Sequence, residues 1–223
     1  MNRSLAFICA LGVFVAAAAA QDKPRLENAP KLSIGDRWVY KQTDIGNKKE
    51  PIFFSNEVKE ANDEFAWLYG KSGATEFWWK YDVKQAKNIE RRKFSQEAVD
   101  TRGETVVSQE KNDSRWQFPV EVGKSYSVKE YWTNQGQSLD RELKVIVRSY
   151  EKVRTAAGEF DTYRISGEGW WNNRSNLASG RYEFAEWFAP AVKRIVKYEW
   201  KLSWQNQTWD NVVGEVVEFK VSP

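Results

Sequence analysis

The chain offers a narrow set of side chains for chemistry. It has no histidine, and its single cysteine and single methionine are Cys9 and Met1, both within residues 1–20. Catalysis that pairs a serine or cysteine with histidine is therefore excluded, and beyond that segment so are zinc, copper and haem sites built on histidine or cysteine. No Asp-x-Asp-x-Asp-Gly loop is present, so we expect no metal ion and no cofactor. Any catalysis would have to use carboxylates, lysine or tyrosine.

Glu168 and Glu183 are a carboxylate pair that glycoside hydrolysis could use, because that reaction needs two carboxyl groups about 5 to 9.5 Å apart. The chain has 31 acidic residues, so some pair at such a distance is expected without any catalytic role. We therefore predict that the protein is not an enzyme, and keep a carboxylate-dependent glycoside hydrolase as the third hypothesis.

Glu186 and Arg194 are candidates for the polar end of a binding site. If residues 189–191 make a three-residue hairpin loop, Glu186 lies opposite Arg194 on the same sheet face. The same register pairs Phe184 with Val196 and Tyr182 with Tyr198. The pair would then orient a ligand in an otherwise aromatic groove. The alternative is a structural ion pair between two strands, worth under about 1 kcal/mol if exposed.

Tryptophan is abundant, with 12 residues in a chain of 223. Such rings can fill a core, or part of the aromatic face can line an open cavity. Gly167 and Gly169 favour a cavity because they stand where side chains would fill the interior, although glycine in a strand also marks a bulge or the close approach of a second backbone. The residues that we predict to contact a ligand are Trp79, Tyr163, Trp171, Glu186, Arg194, Tyr198 and Trp200.

The element that must position most of these residues is the run VKRIVKYEWKLSW over residues 192–204. It alternates with period two, and as a strand it would be roughly 43 Å long, which requires a strongly coiled sheet. Elsewhere, short alternating runs are separated by Gly, Asn, Asp and Pro, as in a β-meander. We predict an all-β fold: a single strongly curved antiparallel sheet, a half-barrel or open barrel of about eleven strands with meander connectivity. Residues 84–113 fit two ragged edge strands, an excursion from the sheet, or a helix over residues 86–94.

Adjacent tryptophans cannot both face the inside of a sheet. We expect Trp78, Trp170 and Trp187 on the outer face, among charged neighbours. There they are either covered by a loop or form an exposed aromatic patch for a sugar or protein partner.

The first residues predict export. Residues 1–20 combine Arg3, an apolar run and a string of alanines, which is typical of a secretory signal, and the apolar run is too short for a transmembrane helix. We predict a signal peptide over residues 1–20, an extended lead-in over residues 21–31 and one all-β domain over residues 32–223, periplasmic or secreted and without a membrane span. A net charge of +3 without a concentrated basic cluster argues against a nucleic-acid partner.

Three runs resemble the signatures of a family of uncharacterised periplasmic domains from Gram-negative bacteria. TAAGEFDTYRI at residues 155–165 is similar to its T-P-A-G-x-F-x-x-Y-x-I turn, EWFAPAVKRIVKYE at residues 186–199 to its W-Y-A-P-x-V-G-x-V-K segment, and FPVEVGK at residues 118–124 to its F-P-L-x-V-G-K element. Ala156 stands where the family usually has proline, and Lys193 where it has glycine. The resemblance implies a secreted, single-domain antiparallel β fold like the half-barrels of lipoprotein carriers, and no known chemistry.

From these observations we expect a secreted periplasmic binding or carrier protein. Its aromatic concave face would hold an amphipathic ligand, an acyl chain or a glycan, so that the expected partner is a lipid or an oligosaccharide. The alternative is a non-catalytic envelope module with a filled core, whose outer rings contact another envelope protein.

Overall fold

The computed structural model describes residues 24–93, 105–110, 113–134, 137–205 and 207–223. The predicted signal peptide lies outside the described residues, as do the first three residues of the predicted lead-in. In the described part of the chain, no helix is long and apolar enough to span a membrane.

Strands make up most of the described chain. In chain order they are β1 (Arg25–Leu26), β2 (Arg37–Asp44), β3 (Ile52–Ala61), β4 (Phe65–Ser72), β5 (Thr75–Asp82), β6 (Lys87–Lys93), β7 (Thr105–Glu110), β8 (Val120–Glu121), β9 (Ser125–Asn134), β10 (Gln137–Thr155), β11 (Gly158–Asn173), β12 (Ala178–Ala189), β13 (Arg194–Trp204) and β14 (Gln207–Lys220). A 3-10 helix, Pro190–Val192, connects β12 to β13.

Strands β2 to β7 and β9 to β14 form one antiparallel sheet in which strands that follow each other along the chain are paired. The last strand also pairs with the first of them, with Val216 opposite Tyr40. At the remaining junction, three residue pairs connect β7 to β9, from Ser108 opposite Asn134 to Glu110 opposite Trp132. The prediction of a single curved antiparallel sheet with meander connectivity is confirmed. Strands β1 and β8 form a separate two-stranded pair.

The chain between β5 and β9 contains strands in its described parts. Strand β6 occupies most of the stretch for which a helix over residues 86–94 was one interpretation, and β7 follows it in the sheet. The described residues therefore support the interpretation as two strands but not as edge strands, because β6 pairs with both β5 and β7, and β7 pairs with both β6 and β9.

The predicted register between β12 and β13 is wrong. The connection comprises four residues, since Pro190–Val192 form a helical turn and Lys193 adopts a left-handed φ of 61°. Strand β13 therefore begins at Arg194, opposite Ala189, two residues later than predicted. As a result Glu186 lies opposite Tyr198, not Arg194. The two further predicted pairs are wrong as well, because Phe184 lies opposite Trp200 and Tyr182 opposite Leu202.

Aromatic rings occupy both faces of the sheet, and the outer rings include Trp67, which was not among those predicted there. Trp79 lies opposite Leu68, whereas the neighbouring Trp67 lies opposite Lys80 and therefore faces the other way. The ammonium of Lys80 is 5.9 Å from the Trp67 ring, and the guanidinium of Arg92 is 5.3 Å from it. Positive side chains thus cover the ring on the outer face.

Trp187 is also covered on the outer face. It lies opposite Lys197, and the Lys197 ammonium and the Arg164 guanidinium are 4.7 and 5.1 Å from its ring. Its indole N–H donates to Glu151 at 2.8 Å. Side chains of the sheet, and not a long loop, therefore bury this predicted outer ring.

The two mid-strand glycines leave no empty space where a side chain would project. A Cβ atom on Gly167 would lie 2.3 Å from the ring of Phe184, and one on Gly169 would lie 1.8 Å from the carbonyl oxygen of Glu142. A ring fills the first position and the neighbouring strand approaches closely at the second. Close packing, one of the two interpretations of these glycines, is what the structure shows.

Candidate ligand-binding site

A cavity of about 210 Å³ lies inside the curve of the sheet, between strands β2 to β6 and β13. It contains three of the seven predicted site residues. Its walls are Tyr40, Phe54, Asn56, Leu68, Trp79, Asn88, Arg194, Ile195 and Tyr198. Most of this surface is aromatic or aliphatic, and one side chain carries a formal charge.

Arg194 supplies that charge. Its guanidinium carbon is 4.6 Å from the centre of the Tyr81 ring and 5.4 Å from that of the Trp38 ring. Such cation–π contacts hold the guanidinium plane in place. The side chain is partly accessible where it lines the cavity, whereas its Nη1 atom is enclosed and has no hydrogen-bond partner.

Tyrosine hydroxyl groups surround Arg194 but do not neutralise it. Burial raises the pKa of Tyr40 and of Tyr81, even though the charge of Arg194 acts to lower both. Both phenols therefore stay protonated and uncharged at neutral pH. The Tyr40 hydroxyl also donates to the backbone oxygen of Ile195 at 2.8 Å, which fixes its direction.

Tyr198 closes another side of the cavity. Its hydroxyl donates to the side-chain oxygen of Gln42 at 2.7 Å, and its ring lies 6.4 Å from that of Tyr40. A side chain on Gly214 would collide with the Tyr198 ring, at 2.1 Å from its nearest atom. Glycine at this position of β14 is what lets the ring lie across the neighbouring strand.

A second cavity of about 360 Å³ shares two wall residues, Asn88 and Ile195, with the first. It is lined by charged groups that are paired with each other. Glu130 accepts hydrogen bonds from Arg115 and, at 3.2 Å, from Arg141, and Arg115 Nη1 donates to Glu186 Oε1 at 2.8 Å. Two carboxylates and two guanidiniums thus form one network.

The network shifts the pKa of Glu130 and the pKa of Arg115. Burial alone would raise the pKa of Glu130, but the charges and hydrogen bonds of Arg115, and then of Arg141, lower it. Burial would lower the pKa of Arg115, whereas Glu130, Tyr182 and Glu186 raise it well above its ordinary value. Glu130 and Arg115 are therefore both ionised at neutral pH.

The predicted partnership between Glu186 and Arg194 does not form. Both side chains lie in the interior, each in the wall of a different cavity, but Glu186 pairs with Arg115 and accepts a hydrogen bond from the indole N–H of Trp116 at 2.8 Å. The two charged side chains that we predicted to form a pair therefore lie in separate cavities.

The other three predicted residues lie in or against the second of two buried hydrophobic clusters. Tyr163 packs on Tyr150 with ring centres 4.8 Å apart, Trp171 donates to the backbone oxygen of Ser203 at 3.1 Å, and Trp200 stacks on Tyr182 at 6.3 Å. None of the three lines either interior cavity. Tyr163 and Trp171 are buried in this core, whereas Trp200 is half-buried and lines a separate depression of about 490 Å³.

The carboxylates considered for hydrolysis lie on the outer face. Glu168 lies directly opposite Glu183, and Arg181 contacts both, at 3.0 and 3.8 Å. The two carboxyl groups are more than half exposed. Among the described residues, no group of three or more acidic side chains could hold a metal ion.

Several site residues escape sequence reasoning. Arg115 directly precedes the alternating run of Trp116, Phe118, Val120 and Val122 and lies in an irregular stretch, so no periodic signal marks Arg115 as interior. Glu130 and Arg141 were within reach, because they lie at equal distances from the β9–β10 turn and are directly opposed in the hairpin. Opposite charges at mirrored positions around a turn are the signal that could have identified them.

No protein-family model and no curated protein matches the sequence. Two solved structures share its fold. The first, provisionally described as an exported protein with a YmcC-like fold from Bacteroides fragilis, has a TM-score of 0.53 at 13% identity and covers 87% of this chain and 99% of its own. The second, provisionally described as a lipoprotein from Parabacteroides distasonis, has a TM-score of 0.50 at 16% identity with the same coverage. At these identities the likeness shows that the chain has this fold, and family membership stays a prediction.

Proposed function

We propose that the protein is an exported binding or carrier protein of the cell envelope that holds an amphipathic ligand, an acyl chain or a glycan, inside its curved sheet. The observation that carries the proposal is the interior cavity with aromatic walls and one charged side chain. Small-molecule sites have this composition: mostly apolar walls with a few polar groups that fix orientation. Exported proteins and lipoproteins among the structures of similar fold support the location.

Tryptophan fluorescence tests the proposal, because Trp79 lies in the cavity wall. Octanoate and octyl glucoside, an acyl and a glycan amphiphile, are titrated against the full protein. We expect quenching or a blue shift with at least one of them. We also expect Trp79→Phe to remove most of this change, since the indole whose fluorescence responds to the ligand is then absent.

Trp67→Phe is the matched control, because Trp67 is on the adjacent strand and faces the opposite side of the sheet. It should leave the ligand-dependent change intact. Binding should also raise the unfolding free energy by about 2.7 kcal/mol at a ligand concentration of one hundred times Kd. Neither a spectral nor a thermal response to either amphiphile would contradict the proposal.

The second candidate function is an envelope interaction module with a filled core. It is favoured by the core positions of Tyr163, Trp171 and Trp200 and by exposed rings such as Trp170, whose exposed fraction is 58%. A module of this kind would show no response to amphiphiles. Trp170→Ser would instead weaken its binding to a defined protein partner.

A further inference from the structure

Arg194 is an interior cation without a counter-charge, partly accessible in the cavity wall but with its Nη1 atom enclosed. Among the described residues, no carboxylate forms an ion pair with it, and the polar groups beside it are the uncharged hydroxyl groups of Tyr40 and Tyr81. Arginine stays protonated in proteins, so the positive charge cannot be lost by titration. An ionised group held away from water without a partner is strongly destabilising.

Two acidic groups act on Tyr81 together with Arg194, and both have other partners. Asp82 accepts hydrogen bonds from the backbone N–H groups of Lys84 and Gln85. Glu186 raises the pKa of Tyr81 and of Tyr198 after burial has done so, which places its charge close to the cavity. Its Oε1 accepts from Arg115 and its Oε2 from Trp116, both at 2.8 Å. Glu186 therefore cannot turn towards Arg194 without breaking two buried hydrogen bonds.

We propose that Arg194 binds the carboxylate head group of an acyl-chain ligand, whose tail lies against Phe54, Leu68 and Trp79. This inference rests on the proposed function and selects the acyl chain from its two ligand classes. The guanidinium presents parallel N–H groups that match the two oxygens of a carboxylate. The rings of Trp38 and Tyr81 hold the guanidinium in the wall of the cavity.

A carboxylate fits this site better than the other head groups. One cation balances one negative charge, whereas a phosphate monoester would bring close to two charges into a cavity with a single cation. A glycan needs many polar partners, but within the cavity wall the side chains with hydrogen-bonding groups beyond Arg194 are two asparagines, two tyrosines and one tryptophan. The cavity volume of about 210 Å³ suits a single short chain.

The test compares four ligands that share one tail: octanoate, octanol, octyl phosphate and octyl glucoside. Affinities are measured by tryptophan fluorescence on the full protein, its Arg194→Met variant and its Arg194→Lys variant. We expect octanoate to bind tightest, and Arg194→Met to weaken octanoate at least about tenfold while changing octanol little. Arg194→Lys keeps the charge but loses the paired N–H groups, so octanoate should bind with intermediate affinity.

Arg164→Met is the matched control, because Arg164 also packs on an aromatic ring but lies on the outer face, away from both cavities. It should leave all four affinities unchanged. In the absence of ligand, we expect Arg194→Met to raise the melting temperature, because it removes a buried unpaired charge. A purely structural arginine would give the opposite result.

The outcomes separate the inference from the proposed function. Equal binding of octanol and octanoate, or equal weakening of both by Arg194→Met, overturns the role of Arg194 and leaves the carrier intact. Tighter binding of octyl phosphate or octyl glucoside overturns the choice of a carboxylate. If none of the four ligands binds, the proposed function itself fails. Should Arg194→Met not fold, the Arg194→Lys comparison decides alone.

Discussion

Two arginines in neighbouring cavities show how much a single residue's partners determine its role. Arg115 has Glu130 and Glu186 as ion-pair partners, whereas Arg194 has rings and neutral hydroxyl groups. A buried cation whose partners are in place contributes to structure, because removing one partner is costly. A buried cation without such a partner must be maintained for another reason, and binding an anion is a reason that the geometry supplies.

Glu130→Gln should destabilise the protein at neutral pH. Glu130 neutralises Arg115 and Arg141, so its loss leaves buried positive charge and should cost about 3 kcal/mol. Because the folded-state pKa of Glu130 is lowered, its contribution is fully present above the ordinary value of 4.5 and is lost as the pH falls through the lowered folded value. Urea unfolding at neutral pH and at successively lower pH should show the difference from wild type shrinking.

Glu142→Gln is the control for this series. Glu142 forms an exposed ion pair with Lys129 at 3.1 Å in the same hairpin. Its loss should cost under about 1 kcal/mol at any pH. A Glu130→Gln deficit that is equally large well below pH 4.5 would show that hydrogen-bonding shape, not charge, is what Glu130 contributes.

At the scale of elements, the turn between β12 and β13 depends on Lys193. This residue has the left-handed conformation for which glycine is usual, and the resembling family has glycine there. In this chain the Lys193 ammonium pairs with Asp36 at 3.1 Å, and the Asp36 side chain is completely buried. Asp36 also accepts from the backbone N–H groups of Ser33 and Ser222. The ion pair thus connects the turn to both ends of the domain.

Lys193→Gly should destabilise the protein despite relieving backbone strain. The left-handed conformation costs a residue with a side chain about 1 to 2 kcal/mol. Removing the partner of a buried carboxylate costs about 3 to 5 kcal/mol. The loss of the pair is the larger effect, and we expect chemical denaturation to give a net deficit of about 2 kcal/mol.

In an Asp36→Asn background, Lys193→Gly should raise the free energy of unfolding instead of lowering it. With the charge of Asp36 removed, Lys193→Gly should stabilise by about 1 kcal/mol, since only the strain relief remains. The double-mutant cycle therefore measures the pair directly. A stabilising Lys193→Gly in the wild-type background would mean that the ion pair contributes less than the backbone strain.

This turn also shows why the sheet was predictable and the site was not. Period-two alternation identifies strands such as β13 because it needs only residue type. Register depends on the length of one connection, and the left-handed Lys193 added a residue to it. A second change follows within β13, where Val196 is left unpaired between Ile195 and Lys197. Alternation cannot detect either feature, so the predicted partner of Arg194 was wrong.

For the whole molecule, the two adjacent cavities set a limit on ligand length. The first is mostly apolar apart from Arg194, whereas the second contains the four charged side chains of the Glu130 network. Each methylene buried in the first should strengthen binding about fourfold, from about 0.8 kcal/mol per group. A tail that reaches the second cavity would displace water from charged groups, so its additional methylenes would not strengthen binding. Competition with a series of fatty acids should therefore show affinity rising with chain length and then levelling off, and an unbroken rise would contradict this arrangement.

The boundary between the two cavities predicts which kind of tail can bind more tightly than a plain acid of the same length. Asn88 belongs to both walls, and its side-chain oxygen is buried without a hydrogen-bond partner. A hydroxyl group at the end of the tail could donate to that oxygen and recover the energy of an unmet acceptor. Among acids at the plateau length, the terminally hydroxylated one should bind about tenfold more tightly than its plain counterpart. Asn88→Leu should abolish this preference and leave the plain acid unaffected, and a preference that survives Asn88→Leu would place the end of the tail elsewhere.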